Sequence, residues 1–347
     1  MDDAPSQPVV SVVIPARNEK DFIENCLRSV LDNDYPPERI ELLVVDGMSD
    51  DGTREIVQKL AEEHPGIRLL DNPGRVTPCA MNIGIRQSTG EHVIITSGHS
   101  VLAKDFITQC VRVLNEHPDV GLVGGMMETV NTTYMGRVLA AALSTPVGVG
   151  SGNWRLQKKE GYVDDVSFGA CRRSVFDQVG LYDEELVRNQ DTDFALRLNQ
   201  AGVKQYMSPA IRCRYFPRST LRTLARQHYF DGFWLIKNIL KLKRLGVPRR
   251  LVPVTFVVLW AALILGSLIW SPMAWGLGAY AGIYVLALLH GVFDSARKHG
   301  LAVAALVPVA LATMHFSYGL GSVHGIWSWC IRRGRFVAKP ESLRITR

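Results

Sequence analysis

Three stretches of the chain hold the side chains best suited to chemistry. They are Pro15-Ala-Arg17-Asn-Glu19, Asp46-Gly-Met-Ser-Asp-Asp-Gly-Thr53 and Ser97-Gly98-His99. A carboxylate in such a loop can take a proton or accept hydrogen bonds, a guanidinium can face a phosphate, and an imidazole can serve as acid, base or metal ligand. A fourth acidic group, Asn189-Gln-Asp191-Thr-Asp193, opens a helical pattern that runs to Leu198. Each also has a plain structural explanation. Ser49, Asp50 or Asp51 can cap the following helix, and glycine supplies positive φ. That accounts for Asp50, Asp51 and Gly52, but not for Asp46, whose carboxylate ends a strand. Glu19 can be a helix-N-terminal carboxylate favoured by the dipole, Arg75 a solvated loop cation, His99 a loop cap, and Asp191 or Asp193 a helix cap.

These loops need elements to hold them. Val9–Ile14 is an apolar run rich in β-branched residues, closed by Pro15, and Phe22, Ile23, Cys26, Leu27, Val30 and Leu31 then recur at helical spacing. Strand Ile40–Asp46, helix Thr53–Glu63, strand Ile67–Leu70, helix Thr77–Gln87 and strand His92–Thr96 follow. Short apolar strands alternating with helices predict an α/β fold, a mostly parallel sheet with helices on both faces. Ligands bind beyond the carboxyl ends of such strands, so the loops after Ile14, Asp46 and Thr96 form the expected crevice. No GxGxxG follows the first strand and no Walker-type phosphate loop occurs, which disfavours a dinucleotide site or a P-loop.

Charge divides the chain. The net charge is +6, with 39 Lys+Arg and 33 Asp+Glu, yet residues 237–347 carry 14 basic and 2 acidic residues while residues 1–236 carry 25 and 31. The basic surplus lies wholly in the last third, so no nucleic-acid partner is expected. Residues 251–293 and 299–331 contain no Asp, Glu, Lys or Arg. The first stretch is about 65 Å long as a helix, enough for two spans that turn near Ser271-Pro272. Lys237, Lys241, Lys243, Arg244, Arg249 and Arg250 precede it, so the positive-inside rule places the N-terminal part in the cytoplasm. Two spans return the chain to the side of Arg297 and Lys298. A third simple span would put Arg332, Arg333 and Arg335 outside, so either the last segment is re-entrant or interfacial, or one basic cluster breaks the rule. The start of the chain lacks a basic n-region and an apolar h-region, and no signal peptide is expected. Cys26, Cys79, Cys110, Cys171, Cys213 and Cys330 show no CxxC spacing and are expected as free thiols.

Ser11-Val-Val-Ile-Pro-Ala-Arg-Asn-Glu19 followed by Val44-Val-Asp46-Gly-Met-Ser-Asp-Asp-Gly-Thr53 resembles an inverting family 2 glycosyltransferase of GT-A fold. Val163-Asp-Asp-Val-Ser-Phe-Gly169, Arg172-Arg173, Val179-Gly-Leu-Tyr-Asp-Glu184, Arg188-Asn-Gln-Asp191, Arg226-Gln-His-Tyr-Phe-Asp-Gly-Phe-Trp234 and His315-Phe-Ser-Tyr-Gly-Leu-Gly321 resemble its succinoglycan-biosynthesis ExoA-type branch. The resemblance implies transfer of a sugar from a nucleotide-sugar donor, UDP-linked, to a lipid-linked saccharide acceptor. It implies Asp191 as the catalytic base, and Pro15, Arg17, Glu19, Asp46, Arg75, Ser97 and Gly98 as donor-binding residues. Asp193, Arg226, Gln227 and Trp234 fall at acceptor or diphosphate positions. The family's Mn2+ or Mg2+ motif usually carries an aspartate where this chain has Ser97, which leaves His99 as the candidate metal ligand.

The expected organisation is a cytoplasmic GT-A domain over 1–218, an amphipathic basic interfacial segment over 219–250, a membrane region over 251–331 and a basic tail over 332–347. Spans are expected at about 251–270 and 273–293, with a third span or re-entrant segment at 301–331. In the interfacial segment Leu224, Trp234, Leu235, Ile239 and Leu242 would enter lipid, and lysines would meet anionic headgroups. His315 and His324 inside an apolar segment mark either a functional site or a helix-packing hydrogen bond. The expected setting is the inner membrane, with assembly beside other polysaccharide-synthesis proteins. A degenerate, non-catalytic scaffold is the alternative that Ser97 suggests.

Overall fold

The computed structural model describes residues 7–131, 133–149, 160–166, 168–216, 220–242 and 248–331. They form two compact units. The first draws on Met1–Thr129 and Lys158–Phe216, the second on Val130–Gln157 and Pro217–Lys339. The division therefore departs from a single boundary at 218, because the excursion after Thr129 belongs to the helical unit.

In the first unit the chain runs β1 (Val10–Ala16), α1 (Ile23–Leu31), β2 (Ile40–Asp46), α2 (Thr53–Glu63), β3 (Ile67–Asp71), α3 (Thr77–Gln87), β4 (His92–Ile95), β5 (Ser100–Leu102), α4 (Phe106–Glu116) and β6 (Val120–Thr129). It then visits α5 (Tyr134–Leu143) and α6 (Pro146–Val149) in the second unit. It returns as β7 (Gly161–Val163), β8 (Ala170–Arg172), α7 (Arg173–Val179), α8 (Gln190–Gln200) and β9 (Lys204–Tyr215). The sheet order is β3-β2-β1-β4-β8-β6-β9-β5, with β7 also on β9. The first four strands are parallel, as expected. The rest of the sheet is mixed, because β8 runs antiparallel between β4 and β6, and β5 and β7 run antiparallel to β9.

Strand alternation sends side chains to both faces. Val10, Val12, Ile14, Leu42 and Val44 pack with α1, α2 and α4 on one face, and Val13, Leu43, Val45 and Val93 pack with α3, α7 and α8 on the other. This double burial is why the central strands read as unbroken apolar runs. Strand β1 continues through Pro15, which pairs with Val45, to Ala16 opposite Asp46.

The second unit contains α9 (Leu221–Leu242), α10 (Val252–Ile269), α11 (Met273–His299), α12 (Leu301–Ala304) and α13 (Val307–Ile326), continued by one wider turn at Trp327–Ile331. Among the described residues three segments are long and apolar enough to cross a membrane: Val252–Ile269, Met273–His299 and Leu301–Ile331. The lipid-facing expectation for α9 is corrected at Leu224, Trp234 and Leu235, which are buried in protein, while Ile239 is half-buried. A Cβ on Gly321 would overlap the Tyr229 carbonyl, one on Gly232 the Tyr318 carbonyl, and one on Gly325 would press on the Phe233 carbonyl. Glycines thus let the α9 and α13 backbones touch, so side chains that looked free for lipid fill that helix pair instead. The expected basic positions Lys243, Arg244, Arg332, Arg333 and Arg335, with the rest of the 332–347 tail, lie outside the described residues, as do the side chains of Leu242 and Arg249.

Between β6 and β9 the register slips, Gly124 pairing with Met207 but Met126 with Arg212. Pro209 sits in that irregularity, where no ladder donor is needed. Gly125 meets it from the facing strand, and a Cβ there would overlap the Ile211 carbonyl oxygen. Gly125→Ala should therefore cost about 3 kcal/mol and lower the melting temperature by roughly 6–12 °C. Gly66→Ala, whose Cβ would meet only the Ile40 carbonyl at 3.9 Å, should leave melting unchanged.

Candidate active site

The carboxyl ends of β1, β2, β3 and β4 lie along one edge of the sheet. Among the described residues five non-glycine residues have positive φ: Asn18, Met48, Arg75, Phe168 and Asn189. The first four belong to this edge. Asn18, Met48 and Arg75 follow β1, β2 and β3, and Phe168 precedes the antiparallel β8. Asn189 immediately precedes α8. Backbone held in this sparsely populated region persists where surrounding contacts over-determine it, and such residues gather at functional sites.

The contacts that hold it are visible. Asp46, fully buried at the end of β2, accepts from the Ser49 amide at 2.9 Å, from the Ser49 hydroxyl and from Arg54 Nη1 at 2.8 Å. Arg54 also donates to Asp71 at 2.8 Å, the residue opposite Asp46 on β3. Ser49 Oγ accepts from the Asn18 amide at 2.9 Å, and Thr53 Oγ1 from the Glu19 amide at 2.8 Å. Asn18 and Asp50 exchange two further hydrogen bonds, and Asp51 accepts from the Lys20 amide. The loops after β1 and β2 are thus laced by side-chain-to-backbone bonds. Arg17 lies over Gly47, and its Nη1 donates to the Arg75 carbonyl at 3.2 Å, which brings the β3 loop alongside.

Glu19 is buried and its Oε1 lies 3.0 Å from His99 Nδ1. His99 packs against Tyr215 with ring centroids 4.9 Å apart, and Phe168 packs on the same tyrosine at 5.9 Å. Gly98 is pressed on Glu19, since a Cβ there would stand 3.2 Å from Glu19 Cγ. Ser97 Oγ pairs with Ser100 Oγ at 2.6 Å. Of the residues expected to bind a divalent cation, Ser97 is engaged by another hydroxyl, and His99 is oriented through Nδ1 by Glu19, the kind of support that an imidazole ligating through its other nitrogen has. Among the described residues no group of three or more His, Cys, Asp or Glu could hold a metal ion.

Asp191 and Asp193 part company. Asp191 is exposed on the first turn of α8, and its Oδ1 accepts from the Thr192 amide at 2.7 Å. Asp193 is fully buried, with its Oδ2 2.9 Å from Arg197 Nε, and Arg197 also donates to the carbonyls of Val179, Gly180 and Leu181. The acceptor role expected for Asp193 is therefore corrected: α8 turns it inward to anchor the chain before the helix. Burial, then Cys171 and the Asp191 charge, push the nearby Tyr182 phenol up.

Arg226, Gln227 and Trp234 all lie on α9 of the second unit. Trp234 is only 2% exposed, wedged by Trp329 with Lys237 over its ring at 5.4 Å, so its indole is not presented to a sugar. Arg226 is exposed, over Phe230. Sequence reasoning missed Arg54, which looks like a solvated first-turn cation, and Tyr215 and Phe168, which no local pattern places beside His99. It also left open the roles of His315 and His324. His315 binds Tyr284 and the Val147 carbonyl, and His324 binds Tyr229, so both make helix-packing hydrogen bonds.

Arg54→Ala leaves the buried Asp46 carboxylate without its cation and should cost about 3 kcal/mol in unfolding experiments. Arg28→Ala, which removes an exposed pair with Glu24, should change stability by less than about 0.5 kcal/mol.

The family model described as Glycosyl transferase family 2 matches residues 11–180. The chain is 28% identical over 321 residues to a dolichyl N-acetyl-alpha-D-glucosaminyl phosphate 3-beta-D-2,3-diacetamido-2,3-dideoxy-beta-D-glucuronosyltransferase of Methanococcus voltae, covering 89% of this chain and 95% of that one. It is 27% identical over 315 residues to the succinoglycan biosynthesis protein ExoA of Rhizobium meliloti, covering 89% and 92%. The solved mannosyltransferase PcManGT of Pyrobaculum calidifontis, in complex with GDP-Man and Mn2+, superposes with a TM-score of 0.57 at 22% identity, covering 93% of this chain and 88% of that one. That last likeness is one of fold. With its strand-end loops laced around a buried aspartate on a GT-A sheet, the chain carries a Glycosyl transferase family 2 domain over residues 11–180.

Proposed function

We propose that this enzyme moves a sugar from a UDP-linked donor to a polyprenyl-diphosphate-linked saccharide, at the cytoplasmic face of the inner membrane, in surface-glycan synthesis. The carrying observation is the sheet edge where Asn18, Met48, Arg75 and Phe168 hold positive φ, together with an exposed carboxylate, Asp191, on the first turn of α8. The relatives' names point to lipid-linked saccharides and succinoglycan as the acceptor class. The apolar helices and basic clusters fit anchorage against anionic lipids, beside other proteins of polysaccharide synthesis.

In this reading the loops after β1, β2 and β3 receive the nucleotide. Arg17 and Arg75, adjacent through the Arg17 hydrogen bond, face the diphosphate. Asp46 acts by holding its loop in shape around the base and ribose, since both its oxygens are already engaged. Asp191 takes the proton from the acceptor hydroxyl while that oxygen attacks the anomeric carbon. The bond to the diphosphate breaks on the opposite face, the electron pair leaves with the nucleotide, and the configuration inverts. Exposure suits Asp191 to this task, because an incoming hydroxyl can reach it. No step is assigned to a metal.

Asp191→Asn should lower kcat about a thousandfold while UDP affinity stays within about twofold of wild type. Full activity of that variant would remove the base assignment. Since Ser97 contributes no charge, chelation with EDTA should change UDP affinity by less than about threefold, and Ser97→Asp should make binding respond to Mn2+ by roughly tenfold. A wild-type enzyme that loses UDP binding in EDTA would contradict this.

A further inference from the structure

The three apolar segments pose a counting problem that contacts within the second unit resolve. The geometry points to a membrane anchor with two crossings: α10 and α11 form the hairpin that spans the bilayer, and α13 lies with α9 on the cytoplasmic side of it. This deepens the anchoring part of the proposed function and does not depend on the transfer chemistry.

Consider where α13 touches its neighbours. Leu311 meets Gly291 of α11 and Gly148, and His315 bonds Tyr284 of α11 and the Val147 carbonyl. Phe316 packs on Phe256, Trp260 and Tyr284. Gly319 then passes the Pro253 carbonyl and Val257, in the first turns of α10. On α10 these contacts fall within its first nine residues, and on α11 they run from Gly291 back to Tyr284 near its middle. The half of the hairpin nearest the turn projects alone, with Leu268, Ile269 and Trp275 78%, 89% and 85% exposed.

From Gly319 onward the partner is α9. Gly321 rests on the Tyr229 backbone, Ser322 bonds the Gly232 carbonyl, His324 bonds Tyr229, and Gly325 rests on Phe233. Trp329 ends beside Phe233 and Trp234, with the Lys237 ammonium 5.2 Å over its ring. The 12 residues from Leu320 to Ile331, about 18 Å of helix, therefore lie past the start of α10, along a helix that carries Arg222, Arg226, Asp231, Lys237 and Lys241. Those charges cannot sit at the depth of a spanning helix without a large penalty. The partner of α13 thus fixes its depth. Its end stands beside Lys237, in the basic cluster that precedes the first span.

The basic clusters among the described residues then fall on one side: Lys237 and Lys241, and Arg297 and Lys298. The exposed apolar side chains of α13, Leu320, Val323, Ile326 and Trp327, form the edge that meets the acyl–headgroup boundary.

The test is topology mapping of the full-length protein in bacterial cells. Green fluorescent protein fused after Arg347 should fluoresce and alkaline phosphatase at the same point should be inactive, while phosphatase fused after Ser271 should be active. Independently, Ser271→Cys should react with a membrane-impermeant maleimide in intact cells. Cys330, exposed at the end of α13, should react in inverted vesicles only. Active phosphatase after Arg347, or labelling of Cys330 in intact cells, would establish three crossings and overturn the inference. An inactive phosphatase and an unlabelled cysteine at 271 would overturn it too, since the hairpin would then not cross.

Discussion

The buried carboxylate of Asp46 is the point on which the arrangement of the transfer edge depends. A charge removed from water is tolerated only if it is paired and hydrogen-bonded, and Asp46 meets that condition with the Ser49 amide, the Ser49 hydroxyl and Arg54. Each partner then has a second duty. Arg54 reaches Asp71 and ties β2 to β3, while Ser49 receives the Asn18 amide and ties the β2 loop to β1. Thr53 holds the Glu19 amide, and Glu19 holds His99 from the loop after β4. One desolvated charge thus propagates into fixed positions for three loops, and the positive φ of Asn18 and Met48 is a consequence of that lacing.

The helical unit obeys a different constraint. Where apolar surface faces lipid, burial of side chains no longer drives helices together, and close backbone packing with satisfied polar groups takes over. Gly232, Gly319, Gly321 and Gly325 allow that approach. His315 and His324 are held by Tyr284, the Val147 carbonyl and Tyr229, so neither imidazole is left without a partner in an apolar setting.

Much of this was legible in the residues. The strands and helices through Gln87 were readable nearly to the residue, because parallel strands buried on both faces give unbroken apolar runs. The edge that carries the site followed from chain direction alone. What was not legible came from partners distant in sequence. Nothing local distinguishes Asp191 from Asp193, two residues apart, until the helix phase turns one to solvent and the other to Arg197. Trp234 and Leu235 looked suited to lipid because the helix that covers them lies about ninety residues downstream.

The sequence by itself therefore carried the family resemblance, the parallel half of the sheet, the edge where the strand-end loops lie and the apolar, basic character of the last third. Each rests on periodicity, composition or ordered motifs, which are properties of short segments. Only the tertiary structure decided which carboxylates are free to act, that Ser97 and His99 are engaged by Ser100 and Glu19, and which apolar helix is covered by protein instead of lipid. These depend on helix phase, strand register and packing between distant segments, because hydrogen bonds and burial are short-ranged in space and indifferent to distance along the chain.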